Sequence, residues 1–159
     1  MKITLTFIFT LVFCCSVYSQ DTLKIKLIDA LVSGINTSNF PIQRDTLIQD
    51  HPEIGLKMIT YLTMIVNGGE LLKYVSLVNT TKKESAATRQ MISSSSFYYA
   101  NDKLIKVEEY LIEGDNKKTM HWYYADDKSL HYTLQADNAA DRATLLLTIS
   151  KGILKQVIK

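Results

Sequence analysis

Residues 57–80 read KMITYLTMIV-NGG-ELLKYVSLVNT. Two runs rich in β-branched and aromatic residues flank Asn67, Gly68 and Gly69. This combination predicts a β-hairpin, because Asn and Gly accept a positive φ at little cost. The same pattern recurs along the chain and predicts further strands at 88–100, 103–113, 117–125 and 129–136, each followed or preceded by a short polar turn. Six strands joined in this way indicate an antiparallel meander.

A helix is predicted on the N-terminal side of these strands, over residues 21–35. There Leu23, Leu27, Leu31 and Ile35 recur every four residues, flanked by Ile28 and Val32, which is the spacing of one helical face. The stretch 40–52 that follows is polar and contains both prolines of the chain, so we interpret it as a loop.

The C-terminal segment, from Asn138 to residue 158, carries an apolar stripe at helical spacing, with Asn138 as a possible N-cap. The alternative is a pair of strands, 144–150 and 153–159, that turn at Lys151 and Gly152. The helix is preferred because the stripe is unbroken, although a Gly inside a helix costs about 1 kcal/mol. The predicted fold is therefore α+β: a curled, six-stranded antiparallel meander with the N-terminal and C-terminal helices packed on one face.

Residues 1–19 have the three zones of a secretory signal peptide: Lys2, an uncharged run over 3–17, and Val17-Tyr18-Ser19 before a polar stretch. The run is shorter than the roughly 18 to 20 apolar residues of a spanning helix, so we do not expect an integral membrane protein. Phe13 precedes Cys14, where a lipoprotein signal carries a small residue, so lipid anchoring is not expected either. The sequence predicts a single exported domain, 20–159, in the periplasm or outside the cell.

The composition of this domain excludes several kinds of chemistry. Lys2 is the one charge in 1–19, so 17 basic side chains remain against 16 acidic ones, and nucleic-acid binding is not expected. The domain has no Cys and no G-x-S-x-G motif, and Gly68-Gly69 joins strands rather than opening a helix around a phosphate. We therefore expect a protein without a cofactor and without catalytic activity. An enzyme whose Asp, Glu, His and Tyr meet only in the fold stays open, since such sites leave no motif.

The hairpin at 117–136 contains two of the three histidines, His121 and His131. Strand alternation predicts one face that points to the core, formed by Met120, Trp122, Tyr124, Leu130, Tyr132 and Leu134. It places His121, Tyr123, His131 and Thr133 on the other face. Two imidazoles fall short of the three protein ligands of a catalytic zinc site, so no metal is expected.

Aromatic residues crowd into the predicted strands, and some of them must point outward. Tyr and Trp are rigid and amphipathic, which favours recognition of another molecule. We predict that the protein binds another protein, as an inhibitor, an immunity protein or an envelope adaptor would. The predicted contact surface consists of His121, Tyr123, His131, Thr133, Tyr98 and Tyr110. The alternative is a carrier that holds a small apolar ligand between sheet and helices, suggested by the long apolar strands and their methionines.

Overall fold

The computed structural model describes residues 3–84, 87–134 and 136–157, with side chains from Gln20 onward. The chain forms helix α1 (Ile3–Thr37), seven strands and helix α2 (Ala139–Val157). The strands are β1 (Ile42–His51), β2 (Leu56–Asn67), β3 (Glu70–Lys83), β4 (Thr88–Ala100), β5 (Lys103–Glu113), β6 (Asn116–Ala125) and β7 (Lys128–Tyr132). A short 3-10 helix, Pro52–Ile54, joins β1 to β2. Position 135 in the last predicted strand and positions 158 and 159 of the C-terminal segment lie outside the described residues, as do residues 1, 2, 85 and 86.

The predicted antiparallel meander is confirmed, with one strand more than expected. The strands form one open sheet in the order β1-β2-β3-β4-β5-β6-β7, and each pairs antiparallel with the next. The loop predicted at 40–52 is wrong, because β1 pairs residue for residue with β2 from Ile42 to His51. Every residue of β1 is exposed. An edge strand that buries no side chain lacks the alternation of apolar residues by which strands are recognised.

Four two-residue turns fix the register of the meander, at 68–69, 101–102, 114–115 and 126–127. Asn101, Asp102, Asp126 and Asp127 all have a positive φ, between 52° and 60°. Two successive positive φ values define the turn whose twist matches that of the flanking strands, and Asn and Asp are the residues besides Gly that tolerate them. The polar pairs that predicted these turns therefore predicted their geometry too.

The helix predicted at 21–35 lies within α1, and the C-terminal segment is the preferred helix rather than a strand hairpin. Of the predicted apolar face, Ile28, Val32 and Ile35 pack on the sheet, but the three leucines do not. Leu23, Leu27 and Leu31 are exposed. No helix in the described part of the chain has a stretch long and apolar enough to cross a membrane.

The two helices lie on opposite faces of the sheet, which corrects the prediction that both cover one face. We name these the α1 face and the α2 face. Helix α1 packs on Tyr98 and Tyr123, whereas α2 packs on their strand neighbours, among them Trp122 and Tyr124. Successive residues of a strand point to opposite faces, so a run such as Trp122-Tyr123-Tyr124 can be wholly buried only if both faces are covered.

Both helices cover the same end of the sheet, which we name the near end. The strand residues packed with α1 are Ile65, Leu72, Tyr98, Ile105, Tyr123 and Leu130. Those packed with α2 include Leu71, Phe97, Tyr99, Leu104 and Trp122. All of them lie toward the turns at 68–69, 101–102 and 126–127. The strands continue beyond the helices to a far end, which is reached by the other halves of β2, β3, β4 and β5.

Candidate functional site

The six residues of the predicted contact surface are split between a buried and an exposed group. Tyr98 and Tyr123 are buried beneath α1. His121 is half-buried, and Tyr110, His131 and Thr133 are exposed. A partner can reach the two buried tyrosines only if α1 moves away. The surface therefore stays a prediction, with its accessible part at Tyr110 and at the β7 edge.

The β6–β7 hairpin brings the predicted neighbours together with one exception. Tyr123 pairs with His131, with 6.0 Å between the ring centroids. The backbone N–H of Thr133 donates to the His121 carbonyl at 3.0 Å, and Thr133 Oγ1 accepts from the His121 N–H at 3.0 Å. Leu130 was predicted on the core face with Trp122 but joins the α1 face instead. A register shift between Tyr123 and Tyr124 causes this exchange, because one extra residue reverses the faces beyond it.

A network of charged groups lies under α1, with Lys106 at its centre. The Lys106 side chain is almost fully buried, and its Nζ lies 2.8 Å from Asp29 Oδ1 and 2.8 Å from Glu108 Oε1. Asp29 comes from α1, and the hydroxyl of Tyr123 also donates to its Oδ1 at 3.1 Å. The ammonium further lies 5.0 Å from the centre of the Tyr123 ring. The network therefore ties α1 to strands β5 and β6 by charge as well as by packing.

The network extends along the sheet toward β3. The Tyr98 hydroxyl donates to Glu108 Oε2 at 3.0 Å, and Asn36 at the end of α1 donates to that hydroxyl oxygen at 3.4 Å. Lys73 donates to Asn36 Oδ1 at 2.7 Å and lies 4.8 Å from the centre of the Tyr98 ring. Tyr98, Asn36 and Lys73 thus each have a hydrogen-bond partner, as most buried polar groups in stable folds do.

The electrostatics of the network favour the charged forms of Lys106 and Glu108. Burial favours neutral Lys106, but its hydrogen bonds to Asp29 and Glu108 outweigh burial and raise the pKa of its ammonium. Burial opposes the charge of Glu108, but Lys106 outweighs it and lowers the pKa of that carboxyl. Burial raises the pKa of Tyr98 to about 12. A lysine held in its charged form lacks the free electron pair of a base or nucleophile, and here its ammonium binds Asp29 of α1.

Glu108→Gln is expected to make the free energy of unfolding depend less on pH in the acid range. The pKa of Glu108 in the fold lies below its usual value near 4.5. Ionised Glu108 therefore contributes its full stabilisation above the usual pKa, and this stabilisation is lost as the pH falls through the pKa in the fold. The variant should be less stable at neutral pH and should lose less stability below about pH 5. Urea unfolding at a series of pH values measures this. The exposed Glu70→Gln is the matched control, and equal profiles for both variants would contradict the role of Glu108.

A metal site is not supported by the two histidines. His121 Nδ1 lies 3.6 Å from Glu108 Oε1 and has no hydrogen-bond partner. Within the residues that the structure describes, no three His, Cys, Asp or Glu side chains come together as a metal site would need. The absence of a metal thus remains the expectation it was from the sequence.

A second polar centre, which the sequence did not reveal, lies on the α2 face. Glu109 is buried, and its carboxylate accepts hydrogen bonds from the Arg142 guanidinium of α2 and, at 2.9 Å, from Trp122 Nε1. The hydrogen bonds to Glu109 raise the pKa of Arg142. Beside this pair is a depression of about 280 Å³. Its lining combines serines and charged groups with a few apolar ones: Ser93, Ser94, Ser95, Glu109, Tyr110, Leu111, Met120, Leu134, Asn138 and Arg142.

The far end of the α1 face is apolar and lies beyond the residues that α1 covers. Strand pairing sets Ile48, Ile59, Asn79, Ile92 and Ile112 in one row across the sheet. It sets Tyr61, Leu77, Ser94 and Tyr110 in the next row on the same face. Ile48, Tyr61 and Tyr110 keep 64%, 40% and 36% of their surface exposed. We name these two rows the open face.

Sequence reasoning found only Tyr110 of the open face. The missing signal was present in the chain: Met58 to Val66 and Leu71 to Val78 are apolar on both sides of the strand. Such strands need cover on both faces, and the two predicted helices are too few to supply it along the whole sheet. An uncovered apolar area was therefore to be expected, although its position depended on where the helices cross.

Comparison with known proteins gives no relative. No protein-family model matches the chain, and neither the curated proteins nor the solved structures contain a significant match.

Proposed function

We propose that this protein is an exported, non-enzymatic binding protein that holds another protein against the open face. The observation that carries the proposal is the exposed apolar surface of Ile48, Tyr61 and Tyr110 on a sheet face without a covering helix. Soluble proteins rarely leave large contiguous apolar patches exposed unless something binds them. The two tyrosines suit a protein partner, because aromatic side chains are enriched at the centres of such interfaces.

Two further features support a binding role. In the buried network under α1, Lys106 is paired with Asp29 and Glu108 and is held in its charged form, so it lacks the free electron pair of a base or nucleophile. Residues 1–19 carry the pattern of an export signal, which suits a partner in the periplasm or outside the cell.

The alternative function, a carrier of a small apolar ligand, has less support. In the described part of the chain, large side chains such as Trp122, Tyr99 and Tyr124 fill the space between the sheet and α2. The depression beside α2 is lined by serines and by the Glu109–Arg142 pair, which suits a polar molecule better than a lipid.

Replacing Tyr61 and Tyr110 together with Lys should abolish partner binding without unfolding the domain. Tyrosines at the centre of an interface each contribute about 2 kcal/mol or more, so losing both weakens binding by at least about a thousandfold. The tagged full chain is expressed in its own host, captured from the extract and examined by native mass spectrometry for a bound protein. The dissociation constant of the identified partner is then measured for each variant.

Leu145→Lys is the matched control for this experiment, since Leu145 is an exposed apolar residue on the outer side of α2. It should bind the partner as the wild type does. If the double tyrosine variant retains its native circular dichroism and still binds with wild-type affinity, the open face is not the contact surface. A lipid-sized mass in place of a protein would favour the carrier.

A further inference from the structure

The two edges of the sheet are protected very differently. Strand β7 has five residues, begins with Lys128 and contacts α2. Short length and lysine are two of the devices by which proteins block unwanted strand pairing. Strand β1 has ten residues, contains neither Lys nor Pro, and pairs with β2 without any bulge. In the described part of the chain no strand pairs with its outer edge, and one backbone donor of β1, the Thr46 N–H, binds Asp45 Oδ1 of its own strand at 2.7 Å.

We propose that β1 is a dimerisation edge, on which a second copy of the chain pairs its own β1 antiparallel to form one continuous sheet. This goes beyond the proposed function and does not depend on it, because it rests on the outer edge of β1; of the open face it involves only Ile48.

Symmetry limits the possible registers to a few. A two-fold axis perpendicular to the sheet keeps each residue on its own face, and directly paired residues point to the same face. Since the faces alternate along β1, two residues that pair across the axis must both have even numbers or both have odd numbers. Registers centred on Thr46, Leu47 or Ile48 all meet this condition.

The charges of β1 select the register centred on Leu47. Within the described residues, Arg44 and Asp50 form no ion pair with one another or with other side chains, and both lie on the α1 face. The Leu47 register places Arg44 directly opposite Asp50 of the second copy, and does so twice. The Thr46 register sets Arg44 against an Ile, and the Ile48 register sets it against Pro52 at the end of the strand. Charge complementarity therefore points to a second copy in one register.

The apolar residues of β1 agree with that register. Leu47 meets Leu47 of the second copy on the axis, and Ile48 lies beside Thr46 of the second copy on the other face. Leu47 keeps 52% of its surface exposed in the single chain. Pairing residues 43–51 of both copies covers these side chains and satisfies the free edge, which a lone strand cannot do.

The experiment measures the oligomeric state of the full chain by analytical ultracentrifugation. The wild type is expected to be a dimer. Leu47→Lys places two ammonium groups opposite each other on the axis and should raise the dimer dissociation constant by about tenfold or more. Leu145→Lys is the control, because Leu145 is equally exposed, at 48%, but lies on α2 away from β1. It should remain a dimer.

Charge exchange tests the register. Arg44→Asp alone sets Asp against Asp, and Asp50→Arg alone sets Arg against Arg, so each variant alone should be monomeric. An equimolar mixture of the two variants restores every opposite-charge pair and should form a heterodimer. A monomeric wild type, a Leu47→Lys variant with the dimer dissociation constant of the wild type, or a mixture that stays monomeric would each overturn the proposal. Binding of a different protein at β1 by a monomeric chain would overturn it too. None of these results bears on Tyr61 and Tyr110, so the proposed function is tested separately.

Discussion

Trp122→Ala is expected to lower the free energy of unfolding by about 3–5 kcal/mol. Trp122 is fully buried on the α2 face, packs 5.6 Å from the ring of Tyr132 and lies against the residues of α2. Its removal opens a cavity in the most densely covered part of the sheet and leaves Glu109 without the indole donor. Since a domain of this size has a total stability of about 5–15 kcal/mol, the variant should be largely or partly unfolded at body temperature.

Circular dichroism during urea unfolding measures this loss. Trp122→Phe keeps much of the ring volume but not the N–H, so its stability should lie between that of Trp122→Ala and that of the wild type. Tyr61→Ala removes an exposed aromatic side chain from the same sheet and should cost less than about 1 kcal/mol. A Trp122→Ala variant as stable as Tyr61→Ala would mean that α2 does not pack as described.

Arg142→Met should destabilise the protein by about 3 kcal/mol, because it leaves the buried carboxylate of Glu109 without its cation. The figure is at the low end of the range for buried pairs, since the Arg142 side chain is partly exposed. Replacing Glu109 with Met as well should restore most of the stability, because a buried pair exchanged for apolar side chains of similar size is often neutral. Thermal or urea unfolding of the four proteins forms a double-mutant cycle.

The matched control is Lys151→Met on the same helix. Lys151 lies 4.0 Å from Asp127, and both side chains are well exposed. Exposed ion pairs contribute about 0–1 kcal/mol, so this variant should match the wild type. If Arg142→Met and Lys151→Met cost the same, the Glu109 centre does not stabilise the packing of α2.

The hairpins were predictable because their turns are local. Asn101-Asp102, Gly114-Asp115 and Asp126-Asp127 each restrict φ within a few residues of sequence, and the strands between them follow. Strand β1 was missed for the opposite reason. It is held by backbone bonds to β2 and buries no side chain, so nothing in its own residues distinguishes it from a polar loop.

The placement of the two helices on opposite faces could have been predicted from the residues of the strands. Phe97-Tyr98-Tyr99 and Trp122-Tyr123-Tyr124 are continuous aromatic runs and are buried on both faces. Such runs are typical of strands covered on both sides. The position of Leu130 was not predictable in this way, because it depends on a register shift at Tyr123 and Tyr124 that arises only when the strands pair.

The polar centres depend on contacts between residues far apart in the chain. Lys106 meets Asp29 across 77 residues, and Arg142 meets Glu109 across 33. Glu108 and Glu109 are neighbours in β5 and therefore point to opposite faces of the sheet. The structure shows that one stabilises the packing of α1 and the other that of α2.

Because both helices cover only the near end of the sheet, the two ends of a long strand differ in the number of packed layers around them. A single strand such as β4 passes from three layers, where Phe97, Tyr98 and Tyr99 lie between α1 and α2, to a single layer around Ser94 and Ile92. Local opening of a structure follows the apolar contacts that must be broken. The strands should therefore open less easily at the near end, where both helices pack on them, than at the far end. A molecule bound to the open face would cover the far end as α1 covers the near end.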